Sequence, residues 1–211
     1  MPHLVLLGDS IFDNAFYVPG QPAVIEQLRV ALPRGWQATL LAVDGNVAID
    51  VVRHLERLPA DASHLAISAG GNDALRASNV IAQPARTIAE ALAVLADLQL
   101  AFRADYRAML AAVRDYRLPT VMCTIYDAIP GLERELVAAL SQFNDVILRE
   151  AIGAGIPVLD LRLLCDEASD YSPLSPIEPS HLGGRKIAAT LARIVTEHDF
   201  TRRQSVIYAR E

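Results

Sequence analysis

Little in this 211-residue chain is of the kinds that announce a function at once. It has only two cysteines and one tryptophan. Two thiols in a chain this long, Cys123 and Cys165, both in or beside apolar strand-like segments, do not make a disulfide scaffold. They read as buried free thiols, which predicts a reducing, cytoplasmic setting. No Lys/Arg block is present and the formal net charge is -6, so a nucleic-acid partner is not expected. No apolar run approaches the roughly 20 residues that span a bilayer. The start, "MPHLVLLGDS", carries no basic segment followed by a long apolar one, so no signal peptide is expected. No His/Cys pair has metal-ligand spacing, and no metal is expected.

What is present is alternation. The hydrophobic fraction of 52% suits one full-cored domain over residues 1–211. Apolar strand-like runs fall at 3–8, 37–43, 64–70, 119–126 and 156–164. Helical spacing falls at 22–32, 47–58, roughly 84–117, 131–155 and 183–198, with a break possible near 98–100. Five alternations predict an α/β fold, a parallel sheet with helices on both faces. The tail 200–211 holds a short β-like piece, "SVIYA", that fits an extra edge strand, a dimer contact or a loose end.

Ligands of open parallel sheets bind beyond the carboxyl ends of the strands. Gly8-Asp9-Ser10 follows the first strand, Asp44-Gly45-Asn46 the second and Gly70-Gly71-Asn72-Asp73 the third. The fifth leads into a long segment ending "SPIEPSHLGGRKIA". Small and polar groups therefore collect along one edge.

These blocks, in this order and spacing, resemble the SGNH hydrolases, also called the GDSL esterase/lipase family. The resemblance runs from "GDS" to "GGRKIA", and "FND" at 143–145 also looks familial. It implies a three-layer α/β/α sandwich with a five-stranded parallel sheet in the flavodoxin-like order 2-1-3-4-5. It implies a serine ester hydrolase acting on a small acyl ester through an acyl-enzyme, with a small-molecule ester as partner and no cofactor. Ser10 would be the nucleophile. The Ser10 and Gly45 amides and the Asn72 side chain would receive the oxyanion. Asp9 would bond neighbouring loop amides.

The usual Asp-x-x-His block departs from the pattern, and two alignments are open. In one, Glu178-x-x-His181 keeps the spacing, with His181 as base and Glu178 orienting it. In the other, the helix start is held fixed, Glu178-Pro179 falls where His-Pro is expected, and Glu178 takes the base's place. The second alignment leaves an alternative function, an impaired relative that binds an ester or carbohydrate without efficient turnover. A domain that binds a partner through its C-terminal tail is a third possibility. The lack of a large insertion predicts a shallow site and short acyl groups.

Overall fold

The structure is a computed structural model and describes residues 1–209. Six strands form one wholly parallel sheet in the order β2-β1-β3-β4-β5-β6. They are β1 (His3–Gly8), β2 (Gln37–Leu40), β3 (His64–Ser68), β4 (Thr120–Cys123), β5 (Val158–Leu159) and β6 (Ile207–Tyr208). The helices are α1 (Val24–Ala31), α2 (Val51–Leu55), α3 (Gly71–Ala77), α4 (Ile88–Asp115), α5 (Arg134–Ala154), α6 (Leu161–Leu164) and α7 (His181–Glu197). Among the described residues, no helix is long and apolar enough to cross a membrane.

The first five strands keep the expected order. The sixth corrects the strand count, because the tail's β-like piece pairs in parallel with β5 through Val158–Ile207 and Leu159–Tyr208. Arg210 and Glu211, the last residues of that tail, lie outside the described residues. The expected fifth strand, 156–164, is also cut short. Asp160 caps α6 by accepting the Arg162 N–H, which turns "LRLL" into a helical turn. The break expected near 98–100 is absent and α4 runs unbroken over 28 residues. It begins later than Pro84, where the Thr87 side chain accepts the Glu90 N–H.

Alternating residues of β1 face opposite layers, as the period of a strand requires. Leu4 and Leu6 join one apolar cluster with α1 and α7. Val5 and Leu7 join the other with α2, α4 and α5. All six residues of β1 are buried, which explains why the segment reads as a continuous apolar run rather than an alternating one.

Two glycines fix how closely chain segments meet near the sheet's carboxyl edge. Gly8 has φ +122°, and a Cβ there would land on the Ser68 carbonyl oxygen. Its lack of a side chain lets the ends of β1 and β3 touch, so that the Asp9 N–H donates to Ser68 O at 3.2 Å. Gly183, in the first turn of α7, lies against the Asp170 backbone in the same way. Gly183→Ala is therefore expected to force the 165–182 loop off α7. The expected cost is on the order of 1–3 kcal/mol, measured by urea unfolding. Gly153→Ala, where nothing lies within 4 Å of the added carbon, is the control.

Candidate active site

Ser10 follows directly from that strand junction. Gly8 ends β1 in a conformation closed to other residues, and the chain turns at once so that the Phe12 and Asp13 N–H groups return to Asp9 O. Asp9 points inward. Its Oδ1 accepts from the Ile11 N–H (3.2 Å) and the Ser68 hydroxyl (3.0 Å). Burial lifts its pKa to about 7 against those two bonds. Asp9 thus braces the turn, and Ser10, 6% exposed, sits on top of it.

The same segment ties down its neighbours. The Asp13 carboxylate accepts the Asp44 N–H at 3.1 Å and so anchors the loop that carries Gly45. Asn14, fully buried, accepts the Val24 N–H at the start of α1 and donates to Pro179 O at 3.1 Å. One short stretch therefore positions a nucleophile candidate, the loop that carries Gly45 and the residue after Glu178.

Glu178 shares the head of one cavity wall with Ser10. Its Oε2 is buried with no hydrogen-bond partner among the described residues. Burial is the larger influence and raises the pKa from 4.5 to about 7, with the nearby Ser10 hydroxyl opposing it. The segment holding Glu178 is pinned on several sides. The Tyr126 hydroxyl donates to Ile177 O at 2.7 Å, Ser172 N–H donates to Glu178 O at 2.8 Å, and Tyr171 pairs with Pro179 as an antiparallel bridge. Asp170, whose own carboxylate accepts from Lys186 at 2.7 Å, receives the Ser180 N–H on its backbone oxygen.

His181 is placed elsewhere. Ser180 caps α7 by accepting the Leu182 and Gly183 N–H groups, and His181 is that helix's first residue. Its backbone oxygen accepts from Gln27 at 3.0 Å. His181 is not part of the cavity wall that Ser10, Asn72 and Glu178 share.

Asn72 lies in the first turn of α3 and lines the cavity with Ser10. Its Nδ2 donates to Asn46 O at 3.0 Å, which leaves the other amide hydrogen for a ligand. Gly45, with φ +81°, is in the adjoining loop but outside the cavity wall. Its carbonyl accepts from Arg76 at 3.1 Å.

Two residues in this region were not singled out by motif. His54 is buried on α2. Its Nδ1 accepts the Gly8 N–H at 3.3 Å, and its Nε2 pairs with the Asn46 side chain at 2.8 Å. Burial lowers the His54 pKa and favours the neutral ring. His54 thereby links the turn before Ser10 to the loop that Asn72 bonds. The second is Asn144 of the "FND" block, which had no chemical reading. It exchanges two 2.8 Å bonds with the Ile125 backbone and fixes the chain beyond β4, a cavity wall.

That cavity, of about 180 Å³, starts at Asp9, Ser10, Asn72 and Glu178 and extends between α3, α4 and α5. The expectation of a shallow site does not describe it. No insertion was needed, because the segments around 74–98 and 129–143 themselves build the walls.

Residues 6–185 match the model of the GDSL-like lipase/acylhydrolase family, and the chain belongs to that family. Solved structures share the fold. An extracellular lipase from Streptomyces rimosus has a TM-score of 0.69 and 17% identity, over 92% of this chain and 99% of that one. A phospholipase A1 from Streptomyces albidoflavus has a TM-score of 0.65 and 15% identity, over 94% and 99%. A variant acetyl xylan esterase from Geobacillus stearothermophilus has a TM-score of 0.64 and 16% identity, over 91% and 93%. No curated protein matches the sequence.

Replacing His54 with Phe leaves the Gly8 N–H and the Asn46 amide without their buried partner. The expected loss is about 1–3 kcal/mol of stability, read by thermal unfolding. In enzyme assays kcat should fall more than KM rises, because the change displaces Asn46 and Asn72 rather than the apolar wall.

Proposed function

We propose that the protein is a serine ester hydrolase in which Ser10 is the nucleophile and Glu178, not His181, is the general base. The observation that carries this reading is that Ser10 and a nearly dry Glu178 carboxylate share the head of one apolar cavity. Family membership supports ester hydrolysis in general.

The reaction balances with these groups alone. Glu178 takes the hydroxyl proton as Ser10 Oγ bonds to the ester carbonyl carbon. The negative charge that develops on the carbonyl oxygen is met by the free amide hydrogen of Asn72 and by the Ser10 N–H. Protonated Glu178 then gives its proton to the leaving alkoxide, and an acyl-Ser10 ester remains. Water attacks that ester while Glu178 accepts a proton, which it returns to Ser10 Oγ as the carboxylic acid leaves. An ordinary solvated glutamate, with a pKa near 4.3, is too weak a base for this work. Raised to about 7, Glu178 becomes a better base while still ionised in a useful fraction near neutrality. The buried, unpaired thiols of Cys123 and Cys165 fit a cytoplasmic setting for this chemistry.

A fluorophosphonate probe is expected to label Ser10 and to miss Ser10→Ala. Glu178→Gln should lower kcat for p-nitrophenyl esters by about 100-fold or more, while His181→Ala should stay within about twofold of wild type. Equal losses in both variants would overturn the assignment of the base. Asn72→Ala should cost about 100- to 1000-fold in kcat.

The pH dependence follows from the raised value. Protonated Glu178 cannot accept the serine proton, so kcat/KM should climb with pH through about 7. Stability moves the other way. A carboxyl whose folded pKa exceeds its unfolded one contributes fully below the unfolded value, and that contribution is lost as pH rises through the folded value. Glu178→Gln should therefore raise the melting temperature at about pH 8 and change it little at about pH 5.

A further inference from the structure

We infer that the acyl group of the substrate is an apolar chain longer than acetyl, lying between α3, α4 and α5. The inference rests on the ester-hydrolase reading above and assigns that site its substrate class.

The distribution of polar groups along the cavity carries it. The charged side chains in the wall are Asp9 and Glu178, both at the Ser10 end. Asp9 is tied to Ser68 and Ile11, and the Tyr126 hydroxyl is committed to Ile177 O. Past that end the wall is Leu75 of α3, Leu95 and Leu98 of α4, and Leu136, Leu140 and Phe143 of α5. The one hydroxyl among them, on Ser78, already donates to Leu75 O at 2.7 Å. A sugar placed here would lose water at each hydroxyl and find almost no partners, which is costly for every group so buried. An acetyl group would leave most of the apolar wall uncovered. A chain covers it, and each methylene removed from water favours binding by about fourfold.

The neighbours of like fold include a lipase and an acetyl xylan esterase, so the fold alone leaves the acyl length open. Ala74, Ala77 and Ala139 are the alanines of the wall beyond the reacting end. Ala139 is only partly buried on α5, so a larger side chain can be introduced there without entering the main core.

The test is a series of p-nitrophenyl acetate, butyrate, octanoate and palmitate, assayed on the wild type and on Ala139→Trp. We expect wild-type kcat/KM to rise at least about tenfold from acetate to octanoate and then to level or fall at palmitate. Ala139→Trp should lower the octanoate-to-acetate ratio by at least about tenfold. Fastest turnover of acetate, with a ratio that Ala139→Trp leaves in place, overturns the chain site while ester hydrolysis stands. If no ester turns over, binding decides separately. The methyl ester of cis-parinaric acid is uncharged, as an ester substrate is. Saturable fluorescence of this probe with Ser10→Ala, weakened when Ala139→Trp is added, upholds the chain site although the hydrolase reading has failed. Absence of binding overturns the chain site as well.

Discussion

A carboxylate kept almost out of water is the constraint on which this site depends. Glu178 is 4% exposed, and an ion in such a place is costly unless the surroundings hold it there. Left to itself the segment would turn so that the carboxylate reached solvent. It is prevented by Tyr126 from β4's end, Asn14 from the first turn after β1, and Asp170 from its own loop. These contacts come from distant parts of the chain and converge on four residues, Ile177 to Ser180. The long loop between α6 and α7 is therefore a rigid support for one side chain.

The Asn72 side of the cavity is built on the same plan. Asn72 is aimed by Asn46, Asn46 is held by His54, and His54 also holds the turn before Ser10. The turn that carries Ser10 and the Asn72 side chain share one network, so movement of either displaces the other. Preorganised donors of this kind stabilise developing charge without having to reorient during the reaction.

Much of the fold was legible because a buried parallel strand leaves a strong trace. "HLVLLG" and "HLAISAG" are apolar on both faces for the same reason that they lie mid-sheet. The ends of elements were less legible. Asp160 stops β5 through a side-chain cap, and Thr87 delays α4, both local competitions that hydrophobic spacing does not register. Ser10 and Asn72 stand in blocks legible in the sequence, and the structure puts both on one cavity wall. Whether Glu178 or His181 lines that wall was not legible, because it depends on how the segment before α7 packs, which spacing alone leaves undetermined. His54 carried no motif. Its signal is its burial at 3% exposure, a property of the folded chain.

The short pairing of β6 with β5 has a consequence for the chain's behaviour with its own copies. A sheet's last strand presents unpaired N–H and C=O groups on which a second molecule can assemble. Here β5 has its outer side occupied by Ile207 and Tyr208, so at this edge the groups open to another chain belong to the C-terminal tail and not to a strand that follows a cavity-forming helix. Pairing with a second copy here would engage the tail first and leave β5 in place.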